Sequence, residues 1–278
     1  MREEHETTLA KDVFVEGIGL HSGKNVRLHI APSDNEGIVF VRTDLPDKPR
    51  IHAAAKNVSS TVRATTIEEN GGKVFTIEHL MSALAAAKID HCVVEIDAEE
   101  PPVTDGSSAV FFRLIKDGGK KTLPTLRKET IIDKVYRVDD KPTGRFILAL
   151  PSDDLRISFT SLNPHPLIGV QYGDYIIDAA AYEKEIAPAR TIAYEKEVEA
   201  LRAAGLGLGG TLENVIVYND EGWLNDLRFA DELVRHKILD AVGDLRLAGI
   251  VRGHIIAVAA GHALNTRLAK IIAAECGK

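Results

Sequence analysis

The 278-residue chain has two cysteines, Cys92 and Cys276, too few for a disulfide framework or a cysteine-rich zinc module. Cys92 sits in the apolar run HCVVEI and reads as a core residue. No stretch approaches the about 18 consecutive apolar residues of a membrane-spanning helix, so no stable membrane insertion is expected. The opening MREEHETTLAKDVF is charged and lacks the apolar centre of a signal peptide. These absences point to a cytoplasmic, reducing setting. Runs of Lys or Arg are also missing, and the net charge is −7, which argues against a nucleic-acid partner. An anionic small molecule remains compatible, because a few local cations suffice to hold one.

What is present is an ordinary globular composition, 45% hydrophobic and 27% charged, long enough for one large or two small domains. Strand-like stretches come first: DVFVEGIGL, VRLHIAP and GIVFVRTDL. Ile77, Leu80, Met81 and Leu84 then recur at helical spacing in TIEHLMSALAAAKID, followed by a strand HCVVEIDA and a helix through AVFFRLIKDGG. The basic, Gly-punctuated segment 116–129 reads as a domain boundary. Beyond it, TIIDKVYRV, RFILALPS and LRISFTSL read as strands, with helices expected near 192–204 and 229–248. A last strand, GHIIAVAA, leads into the helix ALNTRLAKIIAAE. Both halves run strands first and helices last. The expectation is an α+β fold of two similar domains, 1–120 and 128–278.

The helix containing RHKILDAVGD carries the chemistry. Four-residue steps rotate by about 40° on an α-helix, so His236, Asp240 and Asp244 share one quadrant. Val234, Ile238, Val242 and Leu245 cover the opposite side, as expected of a helix sandwiched between layers. Charges there are costly to bury unless paired or bound to a metal. His and Asp one turn apart make a natural pair of zinc ligands, and a structural His–Asp hydrogen bond is the alternative.

In TIEHLMSALAAA, Glu78 and His79 follow a cap candidate at Thr76, and the line His79, Ala83, Ala86 would let another element approach closely. His79 would complete two imidazoles and a carboxylate, leaving a fourth zinc position open, with Glu78 placed as a general base. His262 follows Gly261 in AAGHALN at a strand-to-helix junction. A histidine there could be a general acid, with Asp244 to orient or charge it, or an ordinary polar helix-start residue, which the junction by itself favours. The string GLGLGG, 205–210, satisfies G-x-G-x-x-G but follows a helix instead of a strand, so it reads as a helix cap and turn rather than a nucleotide loop.

Taken in order, GIGLHSGK, RTDL, TIEHLMSALAA, PPVTDGSSAVF, ART, GLGLGG, RHKILDAVGDL and GHALN resemble the zinc-dependent UDP-3-O-acyl-N-acetylglucosamine deacetylases of lipid A synthesis. The resemblance implies helices packed between the sheets of two α+β domains, with the site at their junction. By motif it implies His79, His236 and Asp240 as Zn2+ ligands, Glu78 as general base, His262 as general acid and Asp244 as its support. It also implies Thr191, in ART, as an oxyanion donor and Lys237 as a substrate contact. The implied reaction is hydrolysis of the N-acetyl group of a UDP-linked, 3-O-acylated amino sugar, which releases acetate. An insert near 190–217 would form an apolar acyl passage, with Ile192, Val198, Leu201, Leu206 and Leu208 as wall candidates.

Two positions depart from the pattern. The spacer AVAA before GHALN has no cation, and Leu162 in SLNP stands where an aromatic is usual. A diphosphate needs cations, so Lys237 and, second, Lys141 in VDDKPT become the substrate-binding candidates. A related deacetylase acting on another acylated amino sugar and a non-catalytic zinc-stabilised binding protein are the competing readings.

Overall fold

A computed structural model describes residues 4–276. The chain opens with strands His5–Leu9 (β1), Val13–Ile18 (β2), Asn25–Pro32 (β3), Ile38–Arg42 (β4) and Arg50–His52 (β5). Three short strands follow, Val58–Ser60 (β6), Thr66–Glu69 (β7) and Gly72–Val74 (β8). Helix Glu78–Ala86 (α1), strand Cys92–Ile96 (β9), helix Ala109–Gly118 (α2) and strand Lys120–Leu126 (β10) come next. Then come Thr130–Ile131 (β11), Tyr136–Asp140 (β12), Arg145–Leu150 (β13), Leu155–Leu162 (β14) and Val170–Ile176 (β15). A helical turn Ala179–Ala181 (α3) precedes strand Ile192–Tyr194 (β16), helix Glu195–Ala203 (α4) and strand Ile216–Tyr218 (β17). Helix Glu232–Leu245 (α5), strand Val251–Val258 (β18) and helix His262–Cys276 (α6) complete the mixed α+β fold.

One sheet has the order β2-β3-β9-β4-β5, and a second has β12-β13-β18-β14-β15, with β11 also on β18. Along each five-strand path the pairings are antiparallel except where β9 meets β4 and β18 meets β14, which are parallel. Period-two patterning gives each sheet one buried face: Val26, Leu28 and Ile30 on β3, and Val251, Gly253, Ile255 and Ala257 on β18. The helices fill the space those faces need. One continuous apolar core joins Phe40, Val94, Leu80, Ile238, Phe159 and Leu268 from both sheets and from α1, α5 and α6. Side chains of this size, fully buried, stabilise by about 1.5–3 kcal/mol each. Among the described residues no helix is long and apolar enough to cross a membrane.

Several local expectations change. Segment 116–129, read as a domain boundary, contains β10, which pairs antiparallel with β1 and leaves most of its side chains exposed. The helix expected from 192 begins at Glu195, because Ile192–Tyr194 pairs in parallel with β17. Thr76 is not the α1 cap. It takes φ 55 and donates its hydroxyl to Glu100 Oε2 at 3.1 Å, while Ile77 occupies the cap position.

Candidate active site

The site exists because α1 and α5 approach backbone to backbone. Gly243 of α5 faces the Glu78 carbonyl, and a β-carbon there would lie only 2.0 Å from that oxygen. The small-residue line on α1 anticipated a close neighbour, and the glycine on α5 supplies the contact. Across this seam Glu78 and His79 on α1 face His236, Asp240 and Asp244 on α5, all five buried.

His236 Nε2 lies 3.4 Å and His79 Nε2 3.9 Å from Asp240 Oδ1, and the two imidazoles meet edge to face at 5.0 Å. The ligand atoms of His79, His236 and Asp240 lie within 4.8 Å of one another. His236 donates Nδ1–H to the Ala189 carbonyl at 3.1 Å, which turns the Nε2 lone pair toward Asp240. Burial holds both imidazoles below their ordinary pKa, His79 at about 3, so they are neutral donors. Burial opposes ionisation of Asp240 too, but positive charge around it, the Lys237 ammonium included, outweighs it and holds its pKa below the usual carboxylate range. Its Oδ2 accepts from Lys237 Nζ at 2.9 Å, whereas the buried Oδ1 has no hydrogen-bond partner among the described residues. An orphaned carboxylate oxygen beside two neutral imidazoles is a donor set that fits a zinc ion.

Glu78, Asp240 and His262 form a second, overlapping cluster. Burial pushes the Glu78 pKa up to about 7, with Asp240 and Asp244 adding to the rise. Burial lowers the pKa of His262, but Asp244 and Glu78 overcome it and raise the value to about 10. A protonated imidazole has no lone pair for a metal, so His262 belongs to proton chemistry. Its Nδ1–H donates to Asp244 Oδ2 at 2.9 Å, and its Nε2 lies 3.9 Å from Glu78 Oε1.

These groups open onto a cavity of about 510 Å³. Thr191 and Lys237 line it beside Glu78, His79, His236, Asp240 and His262. Ile192, Val198 and Leu201 form part of its apolar wall with Leu212, Val215 and Val217, whereas Leu206 and Leu208 are not among the lining residues. Lys141 is not brought to the site: it sits in the exposed turn between β12 and β13. Leu162 is half exposed on β14 and likewise outside the lining.

The GLGLGG string serves as a cap and a dock. Gly205, at φ 74, ends α4 with Gly205 N–H on the Arg202 carbonyl and Leu206 N–H on the Leu201 carbonyl, a Schellman arrangement. The chain then bonds the Leu20–His21 loop through Leu208 N–H to His21 O and Gly209 N–H to Leu20 O.

Several supporting residues had escaped notice. Thr65 and Asn265 both bond Asp244. The buried pair Arg190–Glu232 clamps the segment that carries Ala189 and Thr191, with Arg190 N–H and Nε each 3.0 Å from Glu232 Oε1. Asn265 was visible three residues after His262, hence on the same helix face. Thr65 gave no signal, since its partners lie 13 and 179 residues away.

Residues 6–274 match the family model described as UDP-3-O-acyl N-acetylglycosamine deacetylase. The chain is 44% identical over 264 residues to the UDP-3-O-acyl-N-acetylglucosamine deacetylase of Geotalea uraniireducens (strain Rf4), covering 94% of this chain and 85% of that protein. It is 42% identical over 281 residues to the Chlamydia caviae enzyme of the same name, covering 98% of each. With the Leptospira biflexa (strain Patoc 1 / Ames) protein of that name the identity is 41% over 276 residues, 98% of this chain and 90% of that one. The chain belongs to this zinc-dependent family of UDP-3-O-acyl-N-acetylglucosamine deacetylases.

Proposed function

We propose that this chain hydrolyses the N-acetyl group of UDP-3-O-acyl-N-acetylglucosamine, releasing acetate and a free amine, in lipid A biosynthesis. The observation that carries the reading is the facing pair Glu78 and His262, 3.9 Å apart, beside an N,N,O donor set in an apolar cavity. A binding protein requires neither a base nor an acid.

His79, His236 and Asp240 would hold zinc, which when bound supplies Lewis-acid chemistry, polarising a carbonyl and acidifying water. Glu78 accepts the proton of the attacking water as the C–O bond forms. The Thr191 hydroxyl, at the cavity wall, donates to the oxyanion of the tetrahedral intermediate. His262 gives its proton to the departing nitrogen as the C–N bond breaks, because an unprotonated amine is a poor leaving group. Asp244 keeps His262 in the Nδ1–H orientation and balances its charge. Lys237 is the cation for the anionic diphosphate, and the wall of Ile192, Val198 and Leu201 takes the acyl chain.

The same strand order and pairing senses in the two five-strand paths support two similar domains, 1–120 and 128–278, with helices between their sheets and the site at the junction. The test is acetate release by the purified, zinc-loaded chain, comparing the UDP-linked substrate with the same acylated sugar lacking UDP. Equal turnover of both would shift the assignment to a deacetylase of another acylated amino sugar.

A further inference from the structure

The proposed base and acid sit on different helices, and one residue outside both touches the machinery of each. Thr65 is fully buried in the loop between β6 and β7, just after Arg63, whose φ of 65 turns the chain inward. Its backbone N–H donates to Glu78 Oε2 at 3.0 Å, and its hydroxyl donates to Asp244 Oδ1 at 2.5 Å. The other oxygen of Asp244 accepts His262 Nδ1–H and Asn265 Nδ2–H, each at 2.9 Å.

We propose that Thr65 is a positioning residue that sets the base and the acid relative to each other. The terminal torsion of an aspartate is broad, so one hydrogen-bonded oxygen leaves the carboxylate plane free to rock. The charge-assisted bond from Thr65 pins Oδ1, and the plane is then set so that Oδ2 meets His262. With Nδ1 held, the His262 ring has one orientation, and its Nε2 faces Glu78 Oε1 at 3.9 Å. The Thr65 amide fixes the opposite oxygen of Glu78, so both ends of the proton path are referred to a single residue. Threonine suits the task because its β-branch restricts χ1 and holds the hydroxyl in place.

The kinetic arm of the test rests on the deacetylase reading, and the spectroscopic arm does not. Thr65→Val and Thr65→Ala delete the hydroxyl without and with loss of volume, respectively, and Thr65→Ser keeps it. In the zinc-loaded chain both hydroxyl-free variants should lose roughly 10–100-fold in kcat, the usual cost of an outer-shell hydrogen bond, with KM and zinc content near wild type. Thr65→Ser should restore most of kcat. In metal-free protein, His262 Nδ1–H should give a slowly exchanging downfield proton resonance in wild type and Thr65→Ser, and lose it to exchange in the other two. Wild-type kcat or a wild-type resonance in the hydroxyl-free variants overturns the proposal. So does a joint fall of kcat, substrate affinity and zinc content that serine fails to rescue, which would make Thr65 merely structural. Should wild type itself release no acetate, the deacetylase reading fails, and the resonance alone decides the role of Thr65.

Discussion

Gly243 and Glu78 meet with no room for a side chain between them: a β-carbon on Gly243 would stand 2.0 Å from the Glu78 carbonyl oxygen. Alanine in place of a helical glycine ordinarily stabilises by about 1 kcal/mol. Here Gly243→Ala should destabilise by about 1–3 kcal/mol, because it forces two packed backbones apart. Since His79 rides on α1 while His236 and Asp240 ride on α5, the same substitution should weaken zinc affinity. Thermal melts and zinc titration measure the two effects. An unchanged melting temperature would mean that the helices part freely and that this contact does not set the site.

Metal binding and proton transfer should separate by residue. His236→Ala removes one of two neutral imidazoles and should sharply lower zinc retention. Glu78→Ala and His262→Ala should keep zinc while losing roughly 10²–10⁴-fold in kcat, as expected on removal of a general base or acid. Metal analysis and steady-state kinetics on the same preparations decide. Full zinc occupancy in His236→Ala would take that residue out of the site, and near-normal kcat in either other variant would take it out of proton transfer.

The parts of the site that could be read in advance are those encoded at helical spacing. His236, Asp240 and Asp244 share a face whatever the tertiary structure does, and that face is buried as its apolar flanks demanded. The Gly243 seam was half legible, as a line of small residues on α1 without its partner. Thr65 and the Arg190–Glu232 clamp were not legible, because each meets its partner through folding instead of spacing. The first sheet was visible through the alternation in β2 and β3 and the short apolar run of β4. The short strands β5 to β8 and the edge strand β15 were not. Three- and four-residue strands carry too little periodicity, and β15 buries only Gly173 fully. Position 141 shows the opposite error. Charge alone nominated Lys141, and the β12–β13 turn carries it away from the cavity.

Away from the site, stability should fall with pH around His29. Burial lowers its pKa, but hydrogen bonds to Glu95 at 2.8 Å and Asp12 at 3.1 Å prevail and raise it above the ordinary 6.5. A raised pKa means the folded state holds the proton more tightly. The stabilisation is therefore complete below the unfolded pKa and disappears as pH climbs through the folded one. His29→Gln should lower the melting temperature most at about pH 6, with the difference from wild type shrinking toward about pH 8. A difference that stays constant across this range would show that His29 contributes through its stacking on Phe14 instead of its charge.

The charge that holds the substrate's diphosphate should come from α5. Lys237 lines the cavity part-exposed, its Nζ 2.9 Å from Asp240 Oδ2, so it stands beside the donor set with donors to spare. The spacer that lacks a cation cannot compensate, because Ala260 is buried and outside the cavity lining. A charge-assisted hydrogen bond is worth about 1.5–3 kcal/mol, so Lys237→Ala should raise KM for the UDP substrate by roughly tenfold or more. Lys141→Ala should leave KM unchanged. Zinc content measured alongside separates loss of substrate contact from loss of the Lys237–Asp240 bond. Free UDP should inhibit wild type more strongly than Lys237→Ala. If Lys237→Ala binds UDP and substrate as wild type does, the remaining cations on the cavity wall, Arg63 and Arg202, become the candidates. Arg63 is already engaged by Glu197 at 3.2 Å, so Arg202 would then be the first to replace.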